Sequence, residues 1–81
     1  MQKINKEEIR KIFIETFADS KIPGDIANLK LGEIEEWDSL GNFNLLLAIE
    51  EYYKVKFDMD QMSSIKSVKD IINNLEKIFN K

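Results

Sequence analysis

From Asp19 to Trp37 the chain shows no sustained hydrophobic period, yet this stretch carries Ile22, Ile26, Leu29, Leu31, Ile34 and Trp37. A connection of that length is unusual in a compact domain unless it packs in its own right. A chain of 81 residues has little apolar surface to spare and makes one small domain, residues 1–81. The stretch therefore predicts an ordered loop laid across helices and anchored by those side chains. Within it, Ile22-Pro23-Gly24-Asp25 has turn chemistry, with Pro at the second turn position and Gly at the third.

Helical patterns flank the loop. Asn5 is a good N-cap, Glu8 stands where its carboxylate can reach back to the cap's amide, and Ile4 and Ile9 can close a hydrophobic staple. Ile9, Ile12, Phe13 and Phe17 then form a core-facing stripe, and the helix is expected to end between Ala18 and Lys21. Asp38 caps a second helix, Ser39 to Tyr53, about 22 Å long at roughly 1.5 Å per residue.

Laid on a helical wheel, this second helix separates two apolar stripes. Leu45, Leu46, Ile49, Tyr52 and Tyr53 fall on one side; Leu40, Phe43 and Leu47 fall nearly opposite, flanked by Asn44, Glu50 and Glu51. A small domain does not readily bury both faces of one helix, so the second stripe predicts a partner surface. Cover by Ile34 or Trp37 of the loop is the alternative.

Lys54 to Asp58 reads as extended and Met59 to Ile65 as a short helix. The last helix opens at Ser67, with Asp70 as capping partner. It buries Ile71, Ile72, Leu75, Ile78 and Phe79, and ends with Lys77 and Lys81, where cations suit the dipole. The expected fold class is all-α: a four-helix bundle of three main helices and a short third, with a long first loop.

Composition narrows the function. With no Cys and no His, disulfides, thiol catalysis, imidazole bases and the usual zinc sites are excluded, and an ordinary enzyme is not expected. The net charge of −3 argues against a nucleic-acid surface, no apolar run is long enough to span a membrane, and residues 1–8 hold no secretory core. The cytoplasm is the default location. The charge is uneven: between Leu31 and Tyr53 there is no Lys or Arg, while Glu33, Glu35, Glu36, Asp38, Glu50 and Glu51 are all acidic. Such a segment selects basic partners. A solvated helix face beside an acidic loop is the plainer account of the same charges.

Without His or Cys, a reactive site must use hydroxyls, carboxylates, amines or phenols. Glu36-Trp37-Asp38-Ser39-Leu40-Gly41 places a Ser hydroxyl at the first position of a helix, beside free amides that suit a phosphate ester. Gly41 would keep bulk away from that hydroxyl. With no His in the chain and no Lys near Ser39 in sequence, nothing obvious would take its proton, so it suits being the substrate of another enzyme better than acting as a nucleophile in its own catalysis. Asp-Ser at a helix start is also simply good capping. Asp58-Met59-Asp60 opens like a calcium loop, but Met62 and Ser63 break the pattern, and no phosphate-binding glycine loop is present.

The run Asp38-Ser39-Leu40, followed by Leu45-Leu46-Leu47-Ala48-Ile49-Glu50-Glu51-Tyr52-Tyr53 and then by Met62, Ile65 and Ser67-Val68, resembles the acyl carrier protein family. The likeness spans most of the chain, is strongest from Ile34 to Val68 and is weak in the first helix. It implies a cytoplasmic four-helix bundle and a phosphopantetheinyl transferase that attaches 4′-phosphopantetheine from coenzyme A to Ser39. The arm's thiol would then carry acyl intermediates as thioesters between ligase, acyltransferase or synthase partners with basic docking patches. By position, Asp38, Leu40, Phe43, Leu47, Glu50 and Glu51 would be the recognition surface. Leu45, Leu46, Ile49 and Tyr53 would line the interior, where some family members shelter the acyl chain.

Gly41, Asn42, Phe43 and Asn44 stand where carriers of bulk fatty-acid synthesis usually place acids. This run is more similar to stand-alone carriers of specialised pathways, such as polyketide or surface-glycan assembly, and a D-alanyl carrier is also compatible. Bulky Tyr52, Tyr53, Leu46 and Ile49 suggest a short or polar cargo. An exposed stripe kept free for partners favours a monomer. The rival from another class is a cofactor-free helical adaptor that binds protein through Leu40, Phe43 and Leu47. A small carboxylate enzyme lacks the paired acids it would need.

Overall fold

In the computed structural model, which describes residues 4–79, the chain folds into helices α1 (Lys6–Thr16), α2 (Ser39–Tyr53), α3 (Met59–Ser64) and α4 (Val68–Phe79). The expected all-α bundle, with a short third helix and a long first loop, is the architecture observed. Its core joins Ile9, Ile12, Phe13 and Phe17 to Leu45, Leu46, Ile49 and Tyr53, with Val68, Ile71 and Leu75 closing it from α4. Ile72, Ile78 and Phe79 pack at its edge, half-buried. Lys81 lies outside the described residues.

The long loop is packed as expected. Ile26, Ile34 and Trp37 are buried, and Ile22, Leu29 and Leu31 lie against the core. Backbone hydrogen bonds stitch it to the α3–α4 link: Leu31 N–H donates to the Lys66 carbonyl at 2.8 Å and Val68 N–H to the Leu29 carbonyl at 3.1 Å. Between them Lys30 and Ser67 form an isolated antiparallel bridge. Gly32, at φ 97°, adopts a conformation that a side chain would strain, and its N–H donates to the Trp37 carbonyl at 2.8 Å.

Several local expectations are corrected. Helix α1 ends at Thr16, because Phe17 leaves helical geometry as the C-cap while its ring stays buried, edge-on to Phe13. The turn at Ile22-Pro23-Gly24-Asp25 does not form with Gly24 at positive φ. Arg10 instead takes the Pro23 carbonyl at 2.7 Å and that of Ile22 at 3.3 Å. The closed turn comes later, where Leu29 N–H donates to Ile26 and the Asp25 carboxylate accepts the Ala27 N–H.

Asn5 caps α1 through the Glu7 N–H, not within a capping box with Glu8. The Glu8 carboxylate accepts the Tyr52 and Tyr53 hydroxyls at 2.8 and 3.3 Å, tying the start of α1 to the end of α2. Burial first, and the Glu8 charge second, push the Tyr53 phenol up to about 12. Tyr52 is not core: it is 48% exposed, its ring edge-on to Tyr53. At α4, Ser67 Oγ accepts the Asp70 N–H, but the Asp70 carboxylate reaches the Lys66 amide.

Helix α2 stops at Lys54, whose φ of 56° and ψ of 47° are left-handed. There its N–H, with that of Val55, turns back to the Glu50 carbonyl. A non-glycine residue is disfavoured at this φ by clash of its Cβ with the backbone. Lys54→Gly is expected to stabilise the fold by about 0.5–1 kcal/mol, read as a higher urea midpoint at unchanged slope.

Candidate functional site

The site is the junction between loop and α2. Trp37 ends the loop fully buried, its ring edge-on to Phe13 with centroids 4.9 Å apart, and its N–H closes a turn on the Ile34 carbonyl. One residue later the chain steps into solvent. Asp38, Ser39 and Leu40 are all exposed. Asp38 is the N-cap, and its Oδ1 accepts the Gly41 N–H at 2.8 Å. Ser39 is the first residue of α2, and its hydroxyl takes no hydrogen bond among the described residues.

What anchors this exposed corner was only partly visible in the sequence. A Cβ built on Gly41 would overlap the Glu36 carbonyl oxygen and stand 3.2 Å from the Phe17 ring. Glycine is therefore needed for α2 to meet the loop and α1, which replaces the expectation that it spares Ser39 from bulk. Asn42, which the sequence reading did not single out, is buried. Its Oδ1 accepts the Trp37 Nε1–H at 2.9 Å and its Nδ2–H donates to the Ile65 carbonyl at 2.8 Å. The available signal was an amide side chain on the same helix face as Leu45, Leu46 and Ile49. Ser20 Oγ donates to the Glu36 carboxylate at 2.8 Å and fixes the preceding residue.

From this corner the second stripe of α2 runs outward as expected. Leu40 is 72%, Phe43 48% and Leu47 43% exposed, and neither Ile34 nor Trp37, both buried, covers them. Glu51 is exposed beside them and also borders an open groove between α1 and α2 with Glu15, Ala48 and Tyr52. Glu50 departs from the expected surface. It is half-buried, and its Oε2 accepts the Phe57 N–H at 2.7 Å, satisfying an amide in a residue that is itself buried. Met59, 81% exposed at the start of α3, is a further apolar side chain in solvent that sequence reading passed over. Asp58 is the N-cap of α3, in a capping box with Gln61. No group of three or more possible metal ligands occurs among the described residues, and no helix there is long and apolar enough to cross a membrane.

The corner thus offers an exposed serine at a helix start, next to an apolar stripe with acids nearby. Compared with known families, curated proteins and solved structures, the chain finds no match.

Proposed function

We propose that the chain is an acyl carrier protein, with Ser39 as the attachment point for 4′-phosphopantetheine. The observation that carries this reading is the placement of Asp38-Ser39-Leu40. The motif leaves a buried Trp37, opens α2, and holds Ser39 exposed with its hydroxyl free among the described residues. The site fits such a group: a phosphate ester on Ser39 stands at a helix N-terminus, where the dipole is positive and the Asp38 carboxylate is already engaged by Gly41.

In the attachment step, Ser39 Oγ attacks the phosphorus of coenzyme A that bears pantetheine. A P–O bond to Oγ forms and the pyrophosphate P–O bond breaks. Adenosine 3′,5′-bisphosphate leaves with the electron pair, and the hydroxyl proton passes to the transferase. Once bound, the group supplies the thiol that this cysteine-free chain lacks. The chain's own contribution is to hold Ser39 fixed, through Asp38 and the Trp37–Asn42 contact, and to present Leu40, Phe43, Leu47 and Glu51 to partner enzymes. The pathway proposed is a specialised one, and the compartment the cytoplasm.

Intact mass before and after incubation with coenzyme A, magnesium and a broad-specificity phosphopantetheinyl transferase tests the reading. The wild type is expected to gain one phosphopantetheine and Ser39→Ala none. Failure with several transferases on folded, unmodified protein would leave the cofactor-free adaptor, binding through the exposed stripe.

A further inference from the structure

We propose, resting on the reading of Ser39 above, that the acyl cargo rides outside the fold, so that this carrier serves short or polar acyl groups and not long alkyl chains. A chain tethered at Ser39 reaches the interior only by passing between α2 and a neighbour, and each flank next to Ser39 is closed. Towards the loop and α1, Gly41 lies against the Glu36 carbonyl and the Phe17 ring with no room for even a methyl group. Towards α3, Asn42 spans from the Trp37 indole to the Ile65 carbonyl. At the far end of the same seam the Glu50 carboxylate holds the Phe57 N–H, which enters α3.

The α2–α3 seam is therefore bolted at both ends by side chains of α2. The exit of α3 is further held from the other side, because Lys66 and Val68 bond to Leu31 and Leu29 of the loop. Parting the helices would strip partners from the Asn42 amide, the Ile65 carbonyl and the Phe57 N–H, in a fold where no described buried side-chain polar atom lacks one. Behind the seam, Leu46, Ile49, Ile65 and Ile71 are fully buried, and Tyr53 is edge-on to Phe79 with centroids 6.0 Å apart. An alkyl chain left outside such a fold keeps its methylenes in water, which disfavours long ones and is indifferent to short or polar ones.

The test loads the wild type, through the transferase, with acetyl- and with decanoyl-phosphopantetheine from the matching coenzyme A thioesters. Intact mass verifies each product. The thermal midpoint is then measured, along with the rate at which hydroxylamine cleaves the thioester, relative to the same thioester of free pantetheine. Equal midpoints, and relative cleavage rates within about twofold of one another, are expected. A decanoyl form that melts higher and is protected about tenfold or more would overturn the proposal while leaving the carrier intact. No mass gain at Ser39 with several transferases, from coenzyme A itself as well as from its thioesters, would overturn the carrier reading and this proposal with it.

Discussion

Trp37→Ala is expected to lower the stability of the fold by about 3–5 kcal/mol, read from the urea midpoint followed by far-ultraviolet circular dichroism. The indole is fully buried and in edge-on contact with Phe13, so truncation leaves a void that the aromatic neighbours cannot fill without moving. It also removes the donor to Asn42 Oδ1, leaving a buried amide oxygen without its partner. A domain of this size has only about 5–15 kcal/mol to lose, so the variant should be near unfolding at room temperature. Trp37→Phe keeps part of the ring contact while losing the hydrogen bond, so its stability should fall between those of the wild type and Trp37→Ala. A midpoint unmoved by Trp37→Ala would mean that the loop is not packed onto α1 and α2.

Gly41→Ala carries the second large effect, and its sign is the test. In an ordinary helix interior this change stabilises by about 0.5–1 kcal/mol. Here the new Cβ meets the Glu36 backbone carbonyl, which cannot rotate away as a flexible side chain would, and presses on Phe17 behind it. The expected result is a loss of about 1–3 kcal/mol, typical of overpacking. Because relief requires Glu36 or the first turn of α2 to shift, transferase-dependent labelling of the adjacent Ser39 should slow as well. A neutral or stabilising Gly41→Ala would show that helix and loop can separate at this corner without penalty.

These effects follow from features that were unevenly legible in the sequence. Helix α2 was legible from end to end, since Asp38 announces its cap and the apolar spacing continues to Tyr53. The outward stripe of Leu40, Phe43 and Leu47 followed from the same spacing. The packed loop was legible on other grounds, because apolar anchors at irregular intervals have no use in a solvated linker. Other features depend on partners distant in sequence, which periodicity does not register. Tyr52 lies close to the core face on a helical wheel, but its hydroxyl is drawn outward to Glu8. Glu50 looks like a surface acid until Phe57 is found to need an acceptor. Asn42 is polar and was not singled out, yet Trp37 and Ile65 together satisfy its amide inside the fold. Pro23-Gly24 is a strong local turn signal that yields to Arg10, a full helix away.

The stitch between Leu29–Leu31 and Lys66–Val68 has a consequence for the order of assembly. Its two strips are far apart in sequence, and closing so long a span is entropically unfavourable until other contacts offset it. Local turns of the loop, such as Trp37 N–H on the Ile34 carbonyl, can close early, but the bonds made by Leu29 and Leu31 wait for the link after α3. The middle of the loop, Leu29 to Leu31, is therefore fixed only when residues 66–68 dock against it. A transferase that needs the whole loop in place would act on chains in which residues 66–68 have already docked.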